Sequence, residues 1–398
     1  MPQTASDFIY LDHAATTPVR REVLDAMLPF LGDRFGNPSS MHRWGREARV
    51  ALDEARERVA ATLGARTDEI CFTSGGTEAD NLAILGAWHR RREERPAVVT
   101  SPFEHKAVLA TAHQVAREGG EERLVRVTPE GTVDAEDAER LIDEAVAVVS
   151  IMWVNNEIGT IQDVPRIGAA ARARGALMHT DAVQAFGKVA IDLAAQPIDL
   201  LSISGHKIGA PKGIGAIFVR RGVQIEPLFH GGSQDRGRRP GTENVAFAVG
   251  LATAAELAVR DREKEQARLR ALRDELELAV LAAVPDAVIH GNGAPRVAHI
   301  SSISVPGIDA ESLLMALDLE GIAASAGSAC QSGSVTPSHV LAAMGVRPEI
   351  ATAAVRMSLG SLSTPEAIRH VAERFPALVL KARDFSGLAA ESAALSLA

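Results

Sequence analysis

Cysteine is nearly absent, for the 398-residue chain holds only Cys71 and Cys330. Two thiols so far apart in sequence make neither a CxxC pair nor a four-cysteine metal site, and a disulfide framework has no support in a chain of this size. Each needs its own explanation. Positive charge is also in deficit, with 42 Lys and Arg against 51 Asp and Glu and a net charge of -9. Nothing in that balance suggests a phosphate-tracking surface or an anionic membrane as partner, and nucleic acid as a transient substrate stays open. No apolar run approaches the roughly 20 residues of a membrane span, and "MPQTASDFIYLDH" lacks a basic segment followed by an apolar one. The expected location is the cytoplasm. No repeat of fixed period occurs, and only the Ala-rich end "LAAESAALSLA" shifts in composition.

What is present is the composition of an ordinary globular protein, 46% hydrophobic and 23% charged. At this length one core usually stops growing, so a large domain with a smaller one is expected. From about 39 to 63, Ser caps and the spacing of Trp44, Ala48, Ala51, Leu52, Ala55 and Val59 predict a helix. Short apolar runs then alternate with helical stretches: "EICFTS", "AVVTS", "AVAVVSIMWV", "ALMHTD", "DLLSISGHK" and "GAIFVR". This is the pattern of a largely parallel sheet covered on both faces, with ligands collected past the strand C-termini. A long helix over about 244–284 follows. Then come "VAHISSISV", the helix "DAESLLMALDLEG", the Cys330 loop, "AAVRMSLG" and a helix from about 365, which suit a smaller α+β domain. The segment before residue 16 has no evident place.

The chemistry-bearing residues sit at the ends of these runs. "FTSGGTEADN" puts Gly76 and Thr77 at a strand-to-helix turn, where backbone N–H groups favour a phosphate; the plainer reading is a capped Gly turn. "SISGHK" delivers Ser204, His206 and Lys207 from an apolar strand, and burial would free the lysine amine for a Schiff base unless it snorkels to solvent. Asp181 in "HTDAVQ" could pair with a protonated pyridine nitrogen, or simply cap a helix. His105 in "SPFEHKAV" could stack on a flat ring or move protons. Asn155, Asn156 and Glu157 turn amides and a carboxylate toward the same crevice. In "RGRRPGTENVA", Thr242 could reach a phosphate, although a solvated charge run explains the loop as well. Arg356 interrupts the strand "AAVRMSLG", which suits either a bidentate carboxylate site or an internal ion pair. Jointly these groups read as a site for pyridoxal phosphate.

In order along the chain, "YLDHAATTPV", "FGNPSSMHRWG", "FTSGGTEADNLAI", "EHKAVL", "VNNEIGTIQD", "HTDAVQAFGK", "SGHKIGAPKGIGA", "GTENV", "SAGSACQSGSVTPSHVL" and "VRMSLG" resemble the motifs of cysteine desulfurases of the NifS/IscS type. The resemblance covers roughly 8 to 380. It implies the fold-type I architecture of class V aminotransferases: an α/β large domain over 16–260 with a mainly parallel seven-stranded sheet, and a smaller α+β domain from 1–15 and 261–398. It also implies a homodimer. Carried over by motif, Lys207 is the Schiff-base lysine, Asp181 the ring-nitrogen partner, Gln184 the contact to the ring hydroxyl and His105 the stacking imidazole and proton carrier. Gly76, Thr77, Ser204 and His206 would hold the phosphate, with Thr242 from the second subunit, while Asn156 and Arg356 address cofactor and substrate carboxylate. Cys330 would be the nucleophile that takes sulfur from L-cysteine as a persulfide, in a mobile loop over 328–336, and at most a transient iron–sulfur ligand. The implied acceptors are iron–sulfur scaffolds or tRNA-thiolation proteins, with no stable nucleic-acid binding. Selenocysteine lyase, another class V activity and a catalytically silent scaffold are the alternatives. Phe103, Pro240 and Gln331 depart from the motifs without removing a chemical role. Cys71, in an apolar strand, reads as a small buried hydrophobe.

Overall fold

The computed structural model describes residues 8–326 and 337–385. The first half runs β1 (Ile9–Tyr10), α1 (Arg21–Leu31), α2 (Arg43–Leu63), β2 (Ile70–Thr73), α3 (Gly76–Arg91), β3 (Ala97–Thr100), α4 (Lys106–Arg117), β4 (Glu121–Leu124), α5 (Ala135–Leu141), β5 (Val146–Ser150), α6 (Val164–Ala173), β6 (Leu177–Asp181), β7 (Leu200–Ser204) and β8 (Gly215–Val219). There follow α7 (Val245–Ala283), β9 (Val288–Ile289), β10 (Ile300–Ser304), α8 (Ala310–Leu319), β11 (Ile322–Ala323), α9 (His339–Ala343), α10 (Pro348–Ala351), β12 (Ala354–Ser358) and α11 (Pro365–Phe385).

Seven strands form one sheet in the order β2-β8-β7-β6-β5-β3-β4. Only β8 runs against the rest, pairing antiparallel with both β2 and β7. Strands β2, β3, β5, β7 and β8 are buried at every residue, as both faces carry helices. Strand β4, "EERL", is the exception: it is half-exposed at the sheet edge, and its polar sequence carries no apolar signal. A second, three-stranded antiparallel sheet has the order β12-β10-β9. The N-terminal segment finds its place as well. Strand β1 pairs parallel with β11, and Asp12 bridges to Ser358, so residues 8–16 run from the smaller sheet into the floor of the larger unit.

Helix α2 begins later than its spacing predicts. His42, not a serine, is its cap, accepting from the Gly45 N–H, and Gly64 at φ 64 ends it. Trp44 is 53% exposed and lies off the buried stripe of Ala48, Ala51, Leu52, Ala55 and Val59. Helix α7 spans 39 residues, ~58 Å at the usual rise, and Asn244 caps it through the Phe247 N–H. Its first part, to Leu257, is buried in one apolar core with the large sheet; Leu269, Leu272, Leu276 and Val280 enter another with Leu11, Val355 and Phe375. We propose the division 16–260 against 1–15 with 261–398, α7 crossing between them. Val340, Leu341 and Met344 nevertheless pack on the larger core.

Candidate active site

The C-terminal ends of β2, β3, β5, β6 and β7 open on one cavity of about 330 Å³. Lys207 enters it on the turn after β7. Its Nζ donates to the carbonyls of Ala14 at 2.6 Å and Ala15 at 2.7 Å, from the N-terminal loop. Burial, helped by the Arg356 charge and opposed by Asp181 and Asp12, brings the amine down to about 8. It therefore does not snorkel.

Asp181, at the end of β6, is 5% exposed. Its Oδ1 accepts from the Val183 N–H at 2.8 Å, so the local cap and the cavity-facing role coexist. Burial raises its carboxyl, with His105, the Val183 bond and Lys207 pulling the other way. His105 caps α4, its Nδ1 accepting from Ala107 N at 3.1 Å, and burial lowers its pKa. The proton of the neutral ring is then on Nε2. Gln184 donates to Ala14 O at 2.8 Å, and its Oε1 lies 3.4 Å from His299 Nε2.

Gly76 and Thr77 open α3 at the cavity wall, beside Ser204 and His206. A Cβ at Gly76 would come within 2.8 Å of Val183 Cγ2, so the chain passes too close for any side chain. His206 Nδ1 is 3.2 Å from Thr16 Oγ1. Arg356 takes the ion-pair reading within the chain and also lines the cavity. It donates to Asp12 Oδ1 and to Asn156 O, each at 2.8 Å, while its Nε is buried with no hydrogen-bond partner among the described residues. Asn156 and Glu157 line the cavity, whereas Asn155 is structural, accepting from Glu157 N and Ile158 N and donating to Phe103 O. Thr242 is exposed and lies outside the cavity of its own chain. Cys330 and the loop over 328–336 lie outside the described residues. Cys71 is buried in β2 at 1% exposure, and burial pushes its thiol well up.

Residues 9–371 match the family of class-V aminotransferases. The cysteine desulfurase IscS of Dictyoglomus turgidum is 43% identical over 378 residues, 95% of this chain and 96% of that one. A solved NifS-like protein superposes with a TM-score of 0.87 at 36% identity, covering 94% of this chain and 99% of the other. A solved SspA in complex with cysteine follows at TM-score 0.78 and 35% identity, over 88% of this chain and 98% of that one. The chain belongs to the class-V aminotransferases, among the NifS/IscS-type cysteine desulfurases.

This family depends on pyridoxal 5′-phosphate, and the residues of this desulfurase fit it. Gly76 and Thr77 line the cavity at a helix N-terminus that suits a phosphate, Asp181 presents a buried acceptor for a ring nitrogen, and Lys207 offers an amine poised for an aldehyde. The sequence reading missed Asp80 and His339, which line the cavity, and Asp12, which pairs with Arg356. Asp80 lines the wall one turn into α3 at 1% exposure, and its only signal was a charge on the buried side of an apolar helix. Asp12 needed the β12 pairing. His339 Nε2 lies 2.9 Å from Glu104 O, and its neighbour Ser338 donates to the raised carboxyl of Glu157. Behind Lys207 a second cavity, of about 350 Å³, holds Lys188, whose amine burial lowers to about 7.

Proposed function

We propose that the protein removes sulfur from L-cysteine, yielding L-alanine and a persulfide on Cys330. The observation that carries this is one cavity lined by Lys207, Asp181, His105 and Arg356, whose wall includes Ser325 and His339 from either side of the Cys330 segment. Four residues separate Cys330 from Ala326, a span of at most ~14 Å of extended chain.

Pyridoxal phosphate, held by Gly76, Thr77, Ser204, His206, Asp181 and Gln184, supplies an electron sink for the substrate α-carbon. Arg356 and Asn156 line the cavity and orient the substrate carboxylate, with the Arg356 guanidinium held in place by Asp12 and by Asn156 O. Lys207, as a free amine, takes the α-proton. The Cys330 thiolate then attacks the substrate sulfur. An S–S bond forms, the C–S bond breaks, and the carbon fragment takes the electron pair and is protonated to alanine, with His105 Nε2–H as a proton donor.

Phe35, Met41 and Trp44 are exposed before and at the start of α2, and Arg49 of that helix reaches Glu243, the neighbour of Thr242, at 3.7 Å. They support a homodimer in which Thr242 completes the partner's phosphate site. Among the described residues no helix is long and apolar enough to cross a membrane. We assign the protein to the cytoplasm, with iron–sulfur scaffolds or tRNA-thiolation proteins as sulfur acceptors and Cys330 as a transient iron–sulfur ligand at most. Mass spectrometry after exposure to L-cysteine is expected to find one added sulfur on Cys330. Cys330→Ala should keep the cofactor's visible absorbance and lose that sulfur, with alanine formation down at least ~100-fold. Alanine formation at the normal rate by Cys330→Ala would reject the assignment.

A further inference from the structure

In the cavity wall, Asp181 and His105 stand beside Asp80, a residue that the proposed chemistry does not use. One oxygen of Asp80, one of Asp181 and one ring nitrogen of His105 all lie within 4.8 Å of one another. The two carboxyls are 1% and 5% exposed, and Asp80 Oδ1 has no hydrogen-bond partner among the described residues. Two carboxylates this close and this dry do not both ionise unless a cation stands between them.

No element packed around Asp80 supplies such a cation to it among the described residues. Strand β6 offers His179, whose Nε2 is 3.7 Å from Asp80 Oδ1. Its two ring nitrogens are already engaged, Nδ1 with Ser150 Oγ of β5 at 2.8 Å and Nε2 with Ser202 Oγ of β7 at 3.0 Å. The ring is fully buried, and burial brings it down to about 3, so it stays neutral. Glu104, from the loop before α4, adds only a further carboxyl that raises Asp80. His105 and Lys207 face Asp181. The proton of the pair thus belongs on Asp80, and the charge on the member that His105 and Lys207 favour.

We propose that Asp80 is a positioning residue for Asp181, carrying the one proton of a buried carboxyl pair so that the negative charge stays on the cavity-facing partner. Ser202 hydrogen-bonds to Asp80 and is itself held by the neutral His179 ring. The sharing conserves the proton: Asp80 keeps it, Asp181 has none to give up, and the cavity meets one negative charge instead of two. The catalytic consequence rests on the reading that Asp181 faces a cofactor ring nitrogen. The protonation itself does not.

The test uses apoprotein with carboxyl-labelled aspartate, in which glutamates are silent in the labelled infrared band. At pH 7 the spectrum is expected to show a carboxylic-acid carbonyl stretch that vanishes in Asp80→Asn. A band that persists in that variant overturns the proposal. A second measurement leaves Asp80 in place: in Asp181→Asn the midpoint at which the band titrates should fall by about one pH unit or more, a tenfold or greater change in proton affinity. An unmoved midpoint overturns the coupling. Cofactor affinity of Asp181→Asn separates the two ideas. Undiminished affinity would sink the ring-nitrogen reading of Asp181 while the infrared result still decides Asp80.

Discussion

Lys207 is held in a state that ordinary lysines do not reach. Two backbone carbonyls accept from its ammonium, yet burial wins and brings the amine down to about 8. An amine attacks an aldehyde only when unprotonated, so lowering its pKa from the usual 10.5 raises the reactive fraction near neutrality. The rate at which apoprotein captures pyridoxal phosphate should therefore rise about tenfold per pH unit below about 8 and level off above it. Stopped-flow absorbance checks this; a rate still climbing through pH 10 would mean an unperturbed lysine. Lys207, Asp181 and His105 were legible in the sequence because each directly follows an apolar run that can only be a buried strand. Asp80 was not, for within "TEADN" it reads as one more polar helix residue, and only the sheet beneath α3 makes it dry. Arg356 was half legible. Its strand position was plain, but its Asp12 partner lies 344 residues away.

Elements set the cradle more than single side chains do. Helix α3 starts where β2 ends, and its first residues, Gly76 and Thr77, line the cavity, with Gly76 letting the turn pass against Val183. Gly76→Ala should push that turn outward and weaken binding of the cofactor phosphate about tenfold or more, with circular dichroism unchanged. Unaltered affinity for the cofactor in a titration would show that the phosphate sits elsewhere. Helix α7 works at longer range, with one end in each apolar core. Leu276 is wholly buried in the smaller core, and Leu276→Ala should destabilise the protein by about 2–5 kcal/mol, read by urea denaturation. Long periodic helices and fully buried strands announced themselves in the sequence. Strand β4 and the short helices α9 and α10 did not, because half-exposed or single-turn elements owe their existence to neighbours rather than to their own pattern.

At the scale of the whole molecule, the exposed apolar residues Phe35, Met41 and Trp44 ask for a cover. We propose that a second copy supplies one and brings its own Thr242 loop. The double variant Met41→Glu with Trp44→Glu should shift the protein from dimer to monomer in light scattering and lower its affinity for the cofactor phosphate. A dimer that survives both changes would place the interface elsewhere.

Sequence alone determined the alternation of buried strands and helices, the long α7, and the kinds of groups that pyridoxal phosphate requires, since periodicity and side-chain chemistry are local properties of the chain. Only tertiary structure decided what those groups feel. The carbonyls of Ala14 and Ala15 under Lys207, the Asp12 carboxylate on Arg356 and the second carboxyl under Asp181 all come from segments remote in sequence. Desolvation and Coulomb energy depend on distance in space, and no spacing along the chain encodes that.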